Sequence, residues 1–424
     1  MTRFDLIERE MPLLLDQLAG GPAPDYVDEV LGLTAATSQR APWTFVERWL
    51  PMSAVTFRSA VGPVVPVRLI LTGALLLLGL VAWAILLAGA QRPDVPNLFE
   101  PGRSGLVAYE IDGDIYTGDP ATGAVTPLVT GPSADRRPTW SLDGRRLAFV
   151  RLVDGGQSQN ELYVVGAAGG RPTLVRPDPF ALVTGLAWAP DGASILVNWI
   201  RGYAQVLSLV DVATGATTDV PFDGSAIWPA FRPPDGREIL FVGGDRASSI
   251  GQGIYAYDVA AGSIRTIVDP TPSVEVDGWP SWSPDGSQVA FALWDPAGAM
   301  LGSMIVPAEG GTPRSVPAPD GIAGDGSPVW SHDGSRLVLI RTYEGREVVA
   351  LVDPREGGLG TEVEVPGIGC ASMAWSPDDA QVLVLPFVDC NLPGEQILID
   401  TRTGRIVPLA WGASSDPAWQ RLEP

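Results

Sequence analysis

The sequence predicts a mainly β protein, a seven-bladed β-propeller preceded by a short α-helical segment and one transmembrane helix. Three observations carry that reading. The stretch PSWSPDGSQVAFAL (280–293) returns in near-copies, with its aromatic at Trp140, Trp188, Phe231, Trp282, Trp330 and Trp375, a period of 43–51 residues. A second turn recurs between the copies: DPATG (119–123), DVATG (211–215), DVAAG (258–262), DPREGG (353–358) and DTRTG (400–404). Residues 69–90 form an uncharged apolar run. A period of this size, made of strands and tight turns, is the signature of small sheets arrayed about an axis.

Within one repeat, the aromatic ends a short inner strand and Pro-Asp-Gly or its variant reverses the chain. Proline presets φ, aspartate bonds its own backbone, and glycine accepts a positive φ. A β-rich run such as QVAFAL or RLVLI reads as the second strand. The third strand ends in the second recurrent turn, and a fourth short strand closes the sheet, as in VTPLV (125–129) or IRTIV (264–268). A four-stranded blade cannot cover both of its faces alone, so neighbours must stack, with the large aromatics between them.

The two ends of the array predict how it closes. Residues 106–129 read as strands two to four of a blade without a first strand, and residues 416–421, around Trp419, as a first strand without the rest. Joined, they make one blade from both ends and remove two open sheet edges. Six intact units plus this split one give seven blades. Six is the rival count if 106–129 is an irregular lead-in.

Ahead of the array, residues 1–68 are expected to form a helical cytoplasmic segment. Phe4, Ile7, Met11, Leu14, Leu15 and Leu18 share one helical face, Tyr26, Val30 and Leu33 repeat the pattern, and 42–51 is aromatic-rich between prolines. A polar stretch precedes the first apolar run, so this is not a signal peptide. Residues 69–90, at about 1.5 Å each, span roughly 33 Å, enough for a bilayer core. Arg58 and Arg68 before the run, with Arg48 at the limit of range, against Arg92 and Arg103 after it, favour a cytoplasmic N-terminus. Residues 91–104 read as a Pro-rich tether, and 105–424 as the propeller.

The chain has 28 arginines, no lysine and 49 acids, a net charge of −21, and all but −2 of it falls after residue 90. Such a surface argues against nucleic-acid binding. The only histidine, His332, replaces the proline of one Ser-Pro-Asp-Gly turn, so no Ser-His-Asp or Cys-His pair can be built elsewhere. No Gly-x-Ser-x-Gly elbow occurs. Carboxylate-only chemistry survives, because acids are abundant. No cofactor or metal is expected.

One constellation is a candidate site. Asp135, Asp277 and Asp325 each lie five residues before their blade's aromatic, where the inner strand begins, with Arg136 and Arg137 in the same loop and Trp228 and Trp279 at similar positions. These residues either ring one mouth of the channel as a ligand or cation site, or cap turns. Cys370 and Cys390, the only cysteines, fall where two loops share one face of a blade, so they are expected to form a disulfide in an oxidising compartment.

The Trp-Ser-Pro-Asp-Gly turn followed by an Ile-Ala-Phe-like strand resembles the TolB-type propeller repeat over roughly residues 105–422. That repeat occurs in translocation proteins, peptidase propellers and sensors, so it implies fold more than function. The string PDYVDEVLGLTAATSQRAPWTFVERWLPM (24–52) resembles the leaders of membrane-anchored bacterial propeller proteins, which are similar in placement to the cytoplasmic segments of anti-sigma factors. No Cys or His precedes the membrane run, so the zinc-binding form of such segments is excluded.

These readings combine into a single-pass cell-membrane protein with an extracytoplasmic propeller that binds or senses an unknown ligand without catalysis. The apolar faces of residues 1–68 cannot all be buried in so small a segment, so a cytoplasmic protein partner is expected. The resemblance makes a sigma factor the leading candidate. The rival from another class is a membrane-tethered, carboxylate-dependent glycan hydrolase.

Overall fold

The computed structural model describes residues 99–423, other than 154–158, 245–251, 272–274, 296, 298–299, 366–367, 369, 389–391 and 413–416. The expected cytoplasmic helices, the span at 69–90 and most of the tether lie outside the described residues. Among the described residues no helix is long and apolar enough to cross a membrane.

Seven antiparallel sheets form the array. Blade 1 takes its inner strand, Ala418–Leu422, from the C-terminal end, followed by Arg103–Ile111, Asp114–Gly118 and Val125–Val129. The inner strands of blades 2 to 7 are Asp135–Trp140, Val183–Trp188, Ser225–Phe231, Glu275–Trp282, Ile322–Trp330 and Cys370–Trp375. Each is followed by three longer-radius strands in order, and blade 7 carries one extra short strand, Leu392–Pro393. The split blade is closed by pairing Arg103 with Leu422 and Val107 with Trp419. The seven-blade count therefore holds, and 106–129 is a regular part of a blade.

The core is seven clusters, one at each blade boundary. Leu147 and Phe149 of blade 2 meet Ala108 and Ile115 of blade 1, while Val107 and Tyr109 of blade 1 meet Leu383 and Leu398 of blade 7. Among the described residues, the clusters between blades 2 and 3, 4 and 5, and 6 and 7 hold eleven buried residues each, against six to nine at the other four boundaries. Those three boundaries share a polar device as well. Trp188, Trp282 and Trp375 donate their indole N–H to Thr139, Ala230 and Val329 carbonyls of the preceding blade at 3.0, 3.2 and 3.0 Å. Arg146, Arg232 and Arg336 of that preceding blade lie over the same rings, 4.7, 5.2 and 5.3 Å from the centroids. Trp140 and Trp330, at the intervening boundaries, leave their indole nitrogens unpaired.

The Ser-x-Asp-Gly turn is held from inside. Ser141, Ser283, Ser331 and Ser376 donate to Asp143, Asp285, Asp333 and Asp378 at 2.6–2.7 Å. The same hydroxyls accept the amides of Arg146, Gln288, Arg336 and Gln381 at 2.9–3.0 Å. Glycine is needed at Gly286 twice over: its φ is 68°, and a Cβ there would stand 2.1 Å from the Pro233 carbonyl oxygen of the blade before. In the second turn Asp119, Asp211 and Asp400 accept from the hydroxyls of Thr122, Thr214 and Thr403 at 2.7–2.8 Å.

Trp282→Phe removes an inter-blade hydrogen bond and should cost about 1 kcal/mol in urea unfolding. Trp330→Phe removes an indole nitrogen that has no partner and should cost clearly less. Equal costs would remove the distinction between the two kinds of boundary.

The turn aspartates also set a pH dependence. Burial pushes Asp143, Asp285, Asp333 and Asp378 up, but their serine and amide donors outweigh it and hold them below the ordinary range. Threonine hydroxyls hold Asp119, Asp211 and Asp400 down, and backbone amides do so for Asp353. Their contribution is complete above the unfolded value, about 3.9, and is lost as pH falls through the depressed folded values. Asp135 and Glu347, pushed up by burial, act in the opposite sense but are outnumbered. The melting temperature should be flat from neutrality to about pH 5 and fall steeply below about pH 4. A melting temperature that rises with acidification would contradict it.

Candidate functional site

The inner strands line the channel; that of blade 3 slips in register between Val183 and Gly185, and four others are interrupted around a residue in left-handed conformation. Their pairing slips between Arg136 and Thr139, Ile227 and Ala230, Asp277 and Ser281, and Gly326 and Val329. Each slip holds a residue in left-handed conformation: Arg137 (φ 55°), Trp228 (φ 52°), Gly278 (φ 78°) and Ser327 (φ 52°). A proline follows at once or one residue later, at Pro138, Pro229, Pro280 and Pro328. A bulge takes an amide out of the ladder, so proline is tolerated there. Left-handed backbone costs a side-chain-bearing residue about 1–2 kcal/mol. Blade 7 needs no such device: Cys370–Trp375 pairs with its neighbour in unbroken register.

The bulges of blades 2, 5 and 6 line a cavity of about 330 Å³. Its wall includes Arg137, Thr139 and Thr184, then Trp279, Ser281 and Ser327, then Ser372 and Met373. Arg137 Nη1 donates to the Thr184 carbonyl at 2.7 Å, tying blade 2 to blade 3 across the channel edge. Ser281 Oγ donates to the Pro328 carbonyl at 3.0 Å, tying blade 5 to blade 6. Trp279 is 52% exposed and stands against Trp228, with ring centroids 6.1 Å apart. Among the described residues the wall offers hydroxyls, one guanidinium and an indole face, with no carboxylate, thiol or imidazole. Nor does any group of three or more His, Cys, Asp or Glu among them stand ready for a metal ion. Such a wall can bind by stacking and hydrogen bonding; among the described residues it holds no acid–base pair.

Of the residues singled out in the sequence, Arg137 and Trp279 line this cavity, and Trp228 backs it through Trp279. Asp135 is fully buried and takes two bonds from Arg151, at 2.7 and 2.8 Å, behind the channel wall. Burial raises its carboxyl against the pull of Arg151, whose guanidinium is raised in turn by its bonds to Asp135. Asp325, 2% exposed, is likewise held by the fully buried Arg341 at 2.9 and 3.2 Å, and Arg341 also reaches Glu362. Arg136 lies 3.6 Å from Glu110 of blade 1. The backbone of Asp277 opposes Ala292; its side chain lies outside the described residues. The structure therefore brings the arginine and tryptophans together and sends Asp135 and Asp325 into the blades. Thr139, Thr184, Ser281, Ser327 and Ser372 were not anticipated. The signal for the bulges was present, as a proline two residues before the aromatic in blades 2, 4, 5 and 6.

Cys370 opens the inner strand of blade 7 with its backbone opposite Phe387. Cys390 lies outside the described residues. The lone histidine has a specific role in the turns. In blade 7 Asp379 occupies the glycine position of the turn at φ 55°. Its carboxylate accepts the amides of His332 and Asp333, at 2.9 and 2.8 Å, and stands 2.8 Å from His332 Nδ1. Two departures from the repeat thus match one another: histidine supplies the N–H that proline lacks, and aspartate uses it.

No family model matches the chain. An uncharacterised protein of Agrobacterium fabrum is 28% identical over 214 residues, which cover 48% of this chain and 68% of that protein. A TolB homologue of Chlorobium chlorochromatii is 29% identical over 170 residues, covering 40% of this chain and 34% of its own length. Among solved structures, an oligogalacturonate lyase in complex with manganese superposes with a TM-score of 0.55 at 17% identity, over 73% of this chain and 85% of the lyase. The similarities thus include a TolB homologue and an enzyme on the same fold.

The matched departures in blades 6 and 7 predict non-additivity. His332→Pro and Asp379→Gly should each destabilise the protein, and the double variant, which restores the repeat, should lose about 1–2 kcal/mol less than their sum. Additive losses in a double-mutant cycle would refute the pairing.

Proposed function

From a TolB-type seven-bladed propeller with a bulged channel, we propose a single-pass membrane protein whose extracytoplasmic propeller binds a ligand in that channel without catalysis. One observation carries the reading. Strained backbone stands at Arg137 and Ser327 on the cavity wall and at Trp228 behind Trp279, although blade 7 closes without it. Strain of this kind persists where the surroundings hold it in place, and it gathers at binding sites. The bulges re-aim side chains toward the channel, as bulges beside active sites do. The uncharged run at 69–90 supports the anchor, and the arginines around it support the orientation. In that compartment Cys370 and Cys390 form a disulfide, and residues 1–68 engage a cytoplasmic protein, with a sigma factor the first to test. The rival glycan hydrolase needs a pair of carboxylates at the site, and the described wall has none.

Strain held for binding has a measurable signature. Ser327→Gly removes the steric cost at φ 52° and should raise the stability of the ligand-free protein by about 0.5–1 kcal/mol. The full chain in nanodiscs, screened by thermal shift against oligosaccharides, peptides and small acids, should yield a ligand. Arg137→Ala should weaken that ligand at least tenfold. A destabilised Ser327→Gly would remove the strain argument, and turnover of a glycoside panel would favour the hydrolase. Protease added to intact spheroplasts should remove the propeller; protection until lysis would overturn the topology.

A further inference from the structure

The repeat keeps its aromatic and its turn from blade to blade, yet it varies one position of the inner strand. Three residues before the aromatic stand Arg137, Gly185, Trp228, Trp279, Ser327 and Ser372, in blades 2 to 7. All of them except Trp228 line the channel cavity, and Trp228 backs Trp279. Positions that carry the fold repeat because every blade makes the same demand on them. This one differs between blades and faces the space they share.

The chemistry of that space follows from where its protons go. Thr184 Oγ1 lies 3.0 Å from Asn198 Oδ1 and 3.2 Å from the Asn198 carbonyl. Asn198 is 4% exposed, and its Nδ2 donates to the Val206 and Ala226 carbonyls, which turns Oδ1 toward Thr184 as an acceptor. The Thr184 proton is thus held inside the blade. Ser281 gives its proton to the Pro328 carbonyl. A hydroxyl whose proton is engaged can only accept from a ligand, whereas the hydroxyls of Ser327 and Ser372 can give or accept, and the Arg137 guanidinium only gives.

This mixed set sorts ligands. A carboxylate or phosphate only accepts, and Thr184 and Ser281 would meet it with lone pairs. An ammonium group only donates, as the guanidinium does. An alcohol both gives and accepts, so it can satisfy every member of the wall. The indole adds a second requirement: Trp279, half exposed and buttressed by Trp228, offers an apolar face beside the hydroxyls. A body with a flat apolar face and a hydroxylated rim meets both, and a pyranose ring is such a body. At about 330 Å³ the cavity is at the lower end of small-molecule sites, roughly 300–1,000 Å³, which suits a short saccharide.

We propose that the channel binds a neutral saccharide, with one ring face on Trp279 and its hydroxyls shared among Thr184, Ser281, Ser327 and Ser372. This rests on the channel cavity being a ligand site and names the class of ligand. The four hydroxyls come from blades 3, 5, 6 and 7, so the sugar is held from around the axis.

Isothermal titration calorimetry of the full chain in nanodiscs tests this. The probes are glucose, galactose, mannose, N-acetylglucosamine and their disaccharides, set against glucuronate, galacturonate, citrate and short peptides. At least one neutral sugar should bind, and the uronates should bind at least about tenfold more weakly. Trp279→Ala should weaken that sugar about tenfold, and Trp279→Phe, which keeps a ring face, should recover most of the loss. Ser372→Ala should weaken it about threefold. Equal losses in the two Trp279 variants would overturn the stacking, and a uronate that binds more tightly than its neutral parent would overturn the neutral class. Failure of every saccharide overturns the proposal. If citrate or a peptide then binds and Arg137→Ala weakens it, the ligand site itself stands; if nothing binds and Ser327→Gly is destabilised, both readings fall.

Discussion

No blade can bury both of its faces alone, and the whole structure follows from how that need is met. Every apolar cluster straddles a boundary, so each sheet is stable only between two others and the ring must close. The boundaries are not equal. Blades 2 and 3, 4 and 5, and 6 and 7 are joined by the larger clusters, by an indole bond and by an arginine over the ring. Seven is odd, so one blade is left without such a partner. It is blade 1, assembled from both ends of the described chain, with the two smallest clusters on its flanks.

The turns solve a second problem, of reversing the chain where the neighbouring turn leaves almost no room. Glycine meets it by having no Cβ, and serine and aspartate satisfy the amides that the reversal exposes. The turns of blades 6 and 7 reach the same end differently. Asp379 accepts left-handed backbone, and its carboxylate gathers two amides of the neighbouring turn. The repeat is thus a constraint on hydrogen-bond satisfaction rather than on residue identity, and departures from it are tolerated in compensating pairs.

This explains what could be read in the sequence. The aromatic period and the turns were legible because each repeat meets the same demand with nearly the same residues, and the complementary halves at 106–129 and 416–421 made the split blade legible too. The fate of Asp135 and Asp325 was not. Counting five residues back from Trp140 or Trp330 in a regular strand places an aspartate on the opposite face from the aromatic. A bulge inserts one residue and reverses that alternation, so Asp135 and Asp325 turn into the blade and meet Arg151 and Arg341. Those arginines come from the second strand, sixteen residues on, where nothing in the motif marks them. Arg137 and Trp279 were found because they sit at the bulges, though for a reason the spacing alone did not give.

The unpaired blade is also where residues 100–102 are held. Residues 100–102 bond to the turn of blade 7 and the inner strand of blade 1, on either side of the boundary with the smallest cluster. Phe99 packs against the cluster between blades 3 and 4, so this short segment touches both that boundary and members of the fastened pairs. Of the two ties at the site, Arg137 to Thr184 lies within the pair of blades 2 and 3, whereas Ser281 to Pro328 joins blades 5 and 6 across one of the smaller boundaries. Blade 1 has smaller apolar clusters on its flanks but is tied to blade 2 by polar contacts, among them Gln420 Nε2 donating to the Gly144 carbonyl at 2.7 Å, so the ring closes there by hydrogen bonding more than by apolar burial.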